Sequence, residues 1–129
     1  MTKNLAQVFL QVADVAQSVA FYETGLGLTV THRGEQNATF ETGSCELMVQ
    51  KQFDAQTLDG FGLVPPEEPK GSGAIIVLEV EDVEEAYEGL DAVDADLRCE
   101  PQVVPWGREM FIVADPDGYI LEISRPAPE

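Results

Sequence analysis

The sequence predicts an α+β domain made of two copies of one strand–helix–strands unit. Residues 8–22 read VFLQVADVAQSVAFY and residues 76–87 read IVLEVEDVEEAY, so an apolar strand-like stretch, an Asp-Val step and a helix-like stretch occur twice. Short strand-like segments follow each copy and end in CELMVQ at 45–50 and YILEIS at 119–124. The duplication predicts two βαβββ modules whose half-sites line one cleft.

The first module is expected over about residues 4–51. Leu5–Val12 alternates apolar and polar residues and predicts a strand. A helix over 14–25 should follow, with Asp14 as its N-cap and Gln17 as the capping-box partner. Three further strands are expected at about 28–33, 37–42 and 45–50.

The second module is expected over about residues 74–125. Ala74–Val80 predicts its first strand, and Asp82 and Glu85 repeat the capping pattern of a helix over 82–92. Further strands are expected near 96–103, 108–114 and 118–124, with the last two joined by the tight turn Asp115-Pro116-Asp117-Gly118.

Residues 52–73 connect the modules and differ from both of them. They are rich in Gly and Pro and show no sustained hydrophobic period, which predicts a loop or lid. Its apolar residues Phe53, Leu58, Phe61 and Leu63 would be unusual in a fully solvated connector.

Composition excludes several classes of function. At 129 residues the chain is expected to be a single domain with an adequate core, and Cys45 and Cys99 are expected to be reduced thiols. The 24 acidic against 7 basic residues, net charge −17, argue against nucleic acid. This charge favours first a solvated acidic face, as in a salt-tolerant host, and second a field that attracts a cationic ligand. No apolar run approaches the ~20 residues of a membrane span, and no signal-like leader opens the chain, so we expect a cytoplasmic protein.

Strand parity predicts which side chains line the cleft. Because successive strand residues point to opposite faces, the apolar sets centred on Leu10, Leu47, Leu78 and Leu121 should pack under the helices. The opposite face, here called the second face, should carry Gln7, Phe9, Gln11, Glu46, Met48, Gln50, Ile75, Val77, Glu79, Ile120, Glu122 and Ser124. An apolar surface with a few converging oxygens is typical of a small-molecule site.

Three segments carry a resemblance to a known superfamily. VADVAQSVAFYETGLGLTV (12–30), VEDVEEAY (80–87) and WGREMFIVADPDGYILEI (106–123) resemble the vicinal oxygen chelate superfamily, which includes glyoxalase I, extradiol dioxygenases, and fosfomycin- and bleomycin-resistance proteins. The resemblance covers nearly the whole chain except 52–73. It implies an open, curled half-barrel around the ligand, and a homodimer whose clefts are completed at or near the subunit interface.

The resemblance also implies a metal site in some members. Four side chains there bind one divalent ion, and the matching positions are Gln7, Glu46, Ile75 and Glu122. Ile75 cannot be a ligand, so three oxygen donors would remain for a cation such as Mg²⁺, Mn²⁺, Ni²⁺ or Zn²⁺. The only histidine, His32, is expected to be exposed on the second strand, away from these positions, which argues against an extradiol dioxygenase.

Two functional hypotheses follow from these positions. The segment Pro105–Arg108 resembles bleomycin-resistance proteins, and favours slightly a metal-independent binding protein in which Trp106 stacks on the ligand. The alternative is a metal-dependent, glyoxalase-like lyase or isomerase. In that enzyme Glu122 and Glu46 would be catalytic.

Each hypothesis has a simpler competitor. Without metal, one of the two glutamates could be protonated or paired with Arg108. Trp106 could instead be an edge aromatic at a dimer contact, and the chain could be an accessory binding module without a resistance role. The ligand-binding candidates are Phe9, Gln11, Met48, Gln50, Val77, Glu79, Trp106 and Arg108.

Overall fold

The computed structural model describes residues 3–128, and its first module follows the predicted order. Its elements are β1 (Gln7–Val12), α1 (Val15–Val19), a π-helical continuation (Ala20–Gly25), β2 (Thr29–Arg33), β3 (Asn37–Glu41) and β4 (Glu46–Lys51). Asp14 caps α1 as predicted, because its carboxylate accepts a hydrogen bond from the Gln17 amide at 3.2 Å. The expected single helix therefore exists, but its second half is wound more loosely than an α-helix.

The connection between the modules contains one element that the sequence did not predict. Helix α2 (Ala55–Gly60) is capped by Asp54, which accepts a hydrogen bond from the Thr57 amide at 2.8 Å. Leu58 is its buried anchor. Because the helix has fewer than two turns, it shows no hydrophobic period in the sequence.

The second module differs from the prediction at one strand. Its elements are β5 (Ile75–Glu79), α3 (Val83–Ala92), β6 (Asp96–Leu97), β7 (Gln102–Val104), β8 (Arg108–Ala114) and β9 (Ile120–Pro126). The strand expected at 96–103 is split into β6 and β7, which both pair with β8. Pro101 lies in the break, where its missing N–H could not serve a continuous ladder.

Hydrogen bonding confirms the α+β fold of two modules with unclosed sheets. The first sheet has the order β1-β4-β3-β2, and the second has β5-β9-β8-β6 with β7 also beside β8. In each sheet the first strand of the module runs parallel to its last strand, as β1 does to β4 and β5 to β9. No helix within residues 3–128 is both long and apolar enough to cross a membrane.

Both modules contribute to one hydrophobic core, and this confirms the predicted parity. Leu10, Leu47, Leu121 and Ile123 are buried beneath the helices, together with Tyr22. Each fully buried aliphatic side chain contributes about 1.5–3 kcal/mol. The second faces therefore rest on a common, closely packed core.

The turn Asp115–Gly118 joins the modules through buried polar contacts. The Asp117 carboxylate accepts hydrogen bonds from the Ala13 amide at 2.8 Å and from the Lys70 ammonium at 2.7 Å. The Asp115 carboxylate accepts one from the Tyr22 hydroxyl at 2.6 Å. Ala13 and Tyr22 belong to the first module, so we call these contacts the module joint.

The pKa values of three side chains in the module joint are raised by burial or by hydrogen bonds. Burial raises the pKa of Tyr22 well above its ordinary value, and the nearby Asp115 charge adds to the effect. Burial also raises the pKa of Asp115, although hydrogen bonds from the Tyr22 hydroxyl and from the Asp117 and Tyr119 amides oppose it. Burial disfavours the charge on Lys70, which is 1% exposed, but hydrogen bonds to Asp117 and Glu68 outweigh burial and raise its pKa.

Candidate functional site

The second face of the first module consists of three rows of side chains that follow the strand register. Gln7 lies opposite Glu46, Phe9 opposite Met48, and Gln11 opposite Gln50. Strand β3 extends these rows with Glu41, Thr39 and Asn37, respectively. Adjacent strands are only about 4.8 Å apart, so the members of a row are direct neighbours.

Amide side chains form the polar end of this face. The Asn37 side-chain amide donates to the Gln50 side-chain oxygen at 3.3 Å. The Gln11 side-chain oxygen accepts a hydrogen bond from the Phe53 backbone amide at 3.1 Å, which leaves the Gln11 NH₂ group available. The side-chain oxygen of Asn37 is buried, with no hydrogen-bond partner among the described residues.

Aromatic rings lie next to these amides. Phe9 stacks on Phe53 with ring centroids 5.8 Å apart and an interplanar angle of 30°. Phe53 in turn meets Phe61 edge-on, again at 5.8 Å and with an angle of 80°. We call Phe9, Phe53 and Phe61 the ring cluster, and it extends the second face onto the connection.

The second face of the second module is apolar around one carboxylate. Glu122 lies between Val77 on β5 and Ile112 on β8. It is half-buried, and its carboxylate makes no hydrogen bond or ion pair with any other residue in the range 3–128. Ile75 and Val77 are 62% and 56% exposed, so the surface around this charge is open and hydrophobic.

Arg108 has other partners than the sequence suggested. Its guanidinium donates to a Glu79 carboxylate oxygen at 3.1 Å and to the Ser124 hydroxyl at 2.9 Å. The alternative in which Arg108 neutralises Glu46 or Glu122 is therefore wrong for this structure. Arg108 instead compensates Glu79, and leaves the Glu122 charge unbalanced.

The remaining predicted residues lie at the margins of the site. Trp106 is 71% exposed in the turn before β8, and its ring stacks on no other aromatic side chain of residues 3–128. His32 is exposed as expected on β2, the outer strand of the first sheet. A cavity of about 280 Å³ between the modules brings Glu46 together with Val77 and Glu79.

Strand register separates Glu46 from Glu122 in the duplicated fold. The internal repeat equates Gln7 with Ile75, because each lies five residues before the valine that precedes the helix cap, Val12 or Val80. Glu46 lies opposite Gln7, the first residue of β1, whereas Glu122 lies opposite the third residue of β5.

The counterpart of Glu122 in the first module is therefore Met48, which lies opposite Phe9, the third residue of β1. The expected metal-ligand positions become Gln7, Met48, Ile75 and Glu122. Only Gln7 and Glu122 then offer oxygen, and hard divalent ions prefer several oxygen ligands. Within residues 3–128 no cluster of three or more His, Cys, Asp or Glu side chains is arranged to hold a metal. These residues do not fit a divalent metal, and the roles of Glu46 and Glu122 as ligands stay predictions.

Sequence reasoning did not identify Asn37, Phe53 and Phe61 as site residues. Parity assigns residues to a face, but the amide row depends on which residues are opposite each other across three strands. The apolar residues of the connection predicted only that this segment is not fully solvated. Their contact with Phe9, however, could not be read from the sequence.

Comparisons with known proteins agree with this architecture. The uncharacterized protein YraH of Bacillus subtilis strain 168 is 25% identical over 95% of this chain and 98% of its own length. A solved structure described as a conserved domain protein is 31% identical, covers 96% of this chain and 99% of its own, and has a TM-score of 0.74.

A glyoxalase-related enzyme from Fulvimarina pelagi shares the fold with a TM-score of 0.79. It is 22% identical, and the match covers 95% of this chain and 88% of that protein. The model of the Glyoxalase/Bleomycin resistance protein/Dioxygenase superfamily matches residues 4–123. The chain therefore belongs to this superfamily.

Proposed function

We propose that the protein binds a small cationic molecule on its second faces without a metal, in the manner of a resistance-type binding protein. Glu122 is the observation that carries this proposal. A carboxylate in an apolar surround, with no cation of its own among the described residues, attracts a positively charged group more strongly than a solvated carboxylate does. The net charge of −17 adds a long-range attraction of the same sign.

A second copy of the chain completes the site in this proposal. Phe9, Ile75 and Val77 expose apolar surface on the second faces of both modules. Small bound molecules usually have most of their surface covered, which an open face cannot do. A homodimer would enclose the ligand and cover these side chains.

Titration with metal-free bleomycin, a bulky cation, tests the proposal. We expect binding that persists in EDTA and weakens with added salt, because charges are screened beyond about 8–10 Å near physiological ionic strength. Glu122→Gln should weaken binding about tenfold, as expected for loss of a charge-assisted contact of about 1.4 kcal/mol. Glu88→Gln changes the net charge equally on an exposed helix position, and should have little effect.

Two results of this titration would contradict the proposed binding of a cation at Glu122 without a metal. Equal effects of Glu122→Gln and Glu88→Gln would show that only net charge matters. Binding that disappears in EDTA would point to a metal and contradict the metal-independent mode.

A glyoxalase-like lyase or isomerase is the second candidate. It is favoured by the same isolated Glu122, since an unpaired carboxylate beside apolar groups is suited to act as a general base. Hemithioacetal turnover that is lost in Glu122→Gln, but retained in Trp106→Ala, would support this candidate over binding alone.

A further inference from the structure

The ring cluster extends the candidate site onto a segment in which the sequence predicted no site residue. Phe9 belongs to the second face of β1, whereas Phe53 and Phe61 come from the connection. Phe61 is 65% exposed, and its ring is held edge-on to Phe53 rather than covered by it. An aromatic surface is therefore continuous from the sheet to the end of α2.

The fold fixes these rings in position. Leu58 is buried and anchors α2, and the Leu63 amide donates to the Leu58 carbonyl at 2.8 Å. The Phe61 amide donates to the Thr57 carbonyl at 3.1 Å, which closes the end of the helix. The hydrogen bond from Phe53 to Gln11 ties the start of the segment to β1. Phe61 is thus presented outward by a held backbone.

The chemistry beside the rings indicates the group that they accept. Offset or edge-on stacking favours a planar ring against Phe9, Phe53 or Phe61. The Gln11 side chain lies next to the cluster, and its NH₂ group offers hydrogen bonds to polar atoms on the edge of such a ring. The neighbouring Gln50 amide is already bonded to the Asn37 side chain at 3.3 Å and to the Lys51 carbonyl at 3.4 Å. A purely apolar cover, such as the side chains of another protein, would leave the Gln11 NH₂ group without a partner.

We propose that the ring cluster and the side-chain NH₂ group of Gln11 form a subsite for a planar heteroaromatic group of a small ligand. The inference rests on the proposed function, because Glu122 on the other module supplies the contact with the cation. It adds a ligand class: a planar heteroaromatic ring that carries, or is joined to, a positive charge. Phe61 then determines specificity for the ring rather than for the charge.

Calorimetry with two monocations tests this subsite. The first is 9-aminoacridinium, which is planar and heteroaromatic, and the second is dicyclohexylammonium, which is aliphatic. In EDTA we expect wild type to prefer the aminoacridinium. Phe61→Leu should weaken that ligand about 2- to 10-fold, the range typical of one aromatic pair, and leave dicyclohexylammonium unchanged.

Three further variants serve as controls. Phe61→Tyr retains the ring and should retain the affinity. Leu63→Ala removes a half-exposed apolar side chain from the same segment, and should change neither affinity. Glu122→Gln should weaken both ligands alike. Thermal midpoints show whether each variant folds, and Phe61 is exposed enough for replacement to leave the fold intact.

Three outcomes would overturn the inference. If Phe61→Leu weakens both cations equally, the cluster is a general apolar contact and the proposed function survives alone. If Phe61→Leu changes the dimer mass in sedimentation but no ligand affinity, the cluster is an interface between copies of the chain. If neither cation binds to wild type, the proposed function fails together with this subsite.

Discussion

The two modules share a core but present different chemistry on their second faces. Phe9 and Met48 occupy the centre of the first face, where Val77 and Glu122 occupy the second. The first face therefore offers rings and neutral amides, and the second offers one charge within an apolar surround. On the core side both modules place aliphatic residues beneath a helix. Packing thus restrains one side of each duplicated sheet, while the chemistry of the other side differs between the modules.

The largest expected effect is a loss of stability at the module joint. It tests whether the two modules, although different on their second faces, unfold together because they share this joint. Lys70→Met removes the cation from the buried pair with Asp117, and should destabilise the protein by about 3–5 kcal/mol, because a buried carboxylate is left without its partner. Urea unfolding should remain a single transition, since both modules share the joint. Lys51→Met, at an exposed strand end, is the control. Two separate transitions, or a loss below about 1 kcal/mol, would contradict this description.

A gain of metal binding tests the register difference between the modules. The double variant Met48→Glu, Ile75→His would place a metal-binding side chain at all four positions, because Gln7 and Glu122 already offer oxygen donors. We expect Ni²⁺ to bind at least about tenfold more tightly than to wild type, a difference of about 1.4 kcal/mol. Calorimetry should include Ile75→His alone. If that single change gains as much, Glu46 is the ligand after all, and the assignment of Met48 as counterpart of Glu122 is wrong.

The smallest expected effect is a pH dependence that arises at the joint. The folded-state pKa values of Tyr22 and Lys70 are raised, so both groups stabilise the fold at neutral pH and lose this contribution as pH rises through those values. Above about pH 10, each group lowers the free energy of unfolding by up to about 1.4 kcal/mol per pH unit.

Tyr22→Phe should remove one of these contributions and make the alkaline slope shallower, as urea titrations from pH 8 to 11 would measure. The pKa of Tyr87 is also raised, by partial burial and by the charges of Glu100 and Asp91, but that of Tyr22 is raised well above its ordinary value, so Tyr87→Phe should make the slope less shallow than Tyr22→Phe does. An unchanged slope in Tyr22→Phe would show that the hydroxyl ionises as readily in the folded protein as in the unfolded chain.

The features that could be predicted from the sequence are those that follow the periodicity of strands and helices. Alternation identified the core faces of β1, β4, β5 and β9, and the caps at Asp14 and Asp82 located both main helices. The second faces could be assigned for the same reason, since parity alone separates the two sides of a strand.

Register could not be predicted in the same way. CELM and YILEI each contain one glutamate, and matching the letters equated Glu46 with Glu122. The ladders show that these residues lie two positions apart in the duplicated frame. The register between two strands depends on the turns and helices that connect them. The residues of a single strand therefore do not determine it. The joint was missed for a related reason: Lys70 is in a segment without periodicity, yet its ammonium is buried.

The turn Asp115-Pro116-Asp117-Gly118 has a consequence for how family signatures are interpreted. It was expected to be a hairpin turn, and it is one, since the Gly118 amide donates to the Asp115 carbonyl at 2.9 Å. Its two carboxylates, however, bind backbone and side chains of the first module, and a side chain at Gly118 would collide with Pro69, 2.6 Å from its Cβ. A motif of this kind holds the two modules of the fold together. It therefore identifies proteins that share the fold, but it does not indicate what each of them binds.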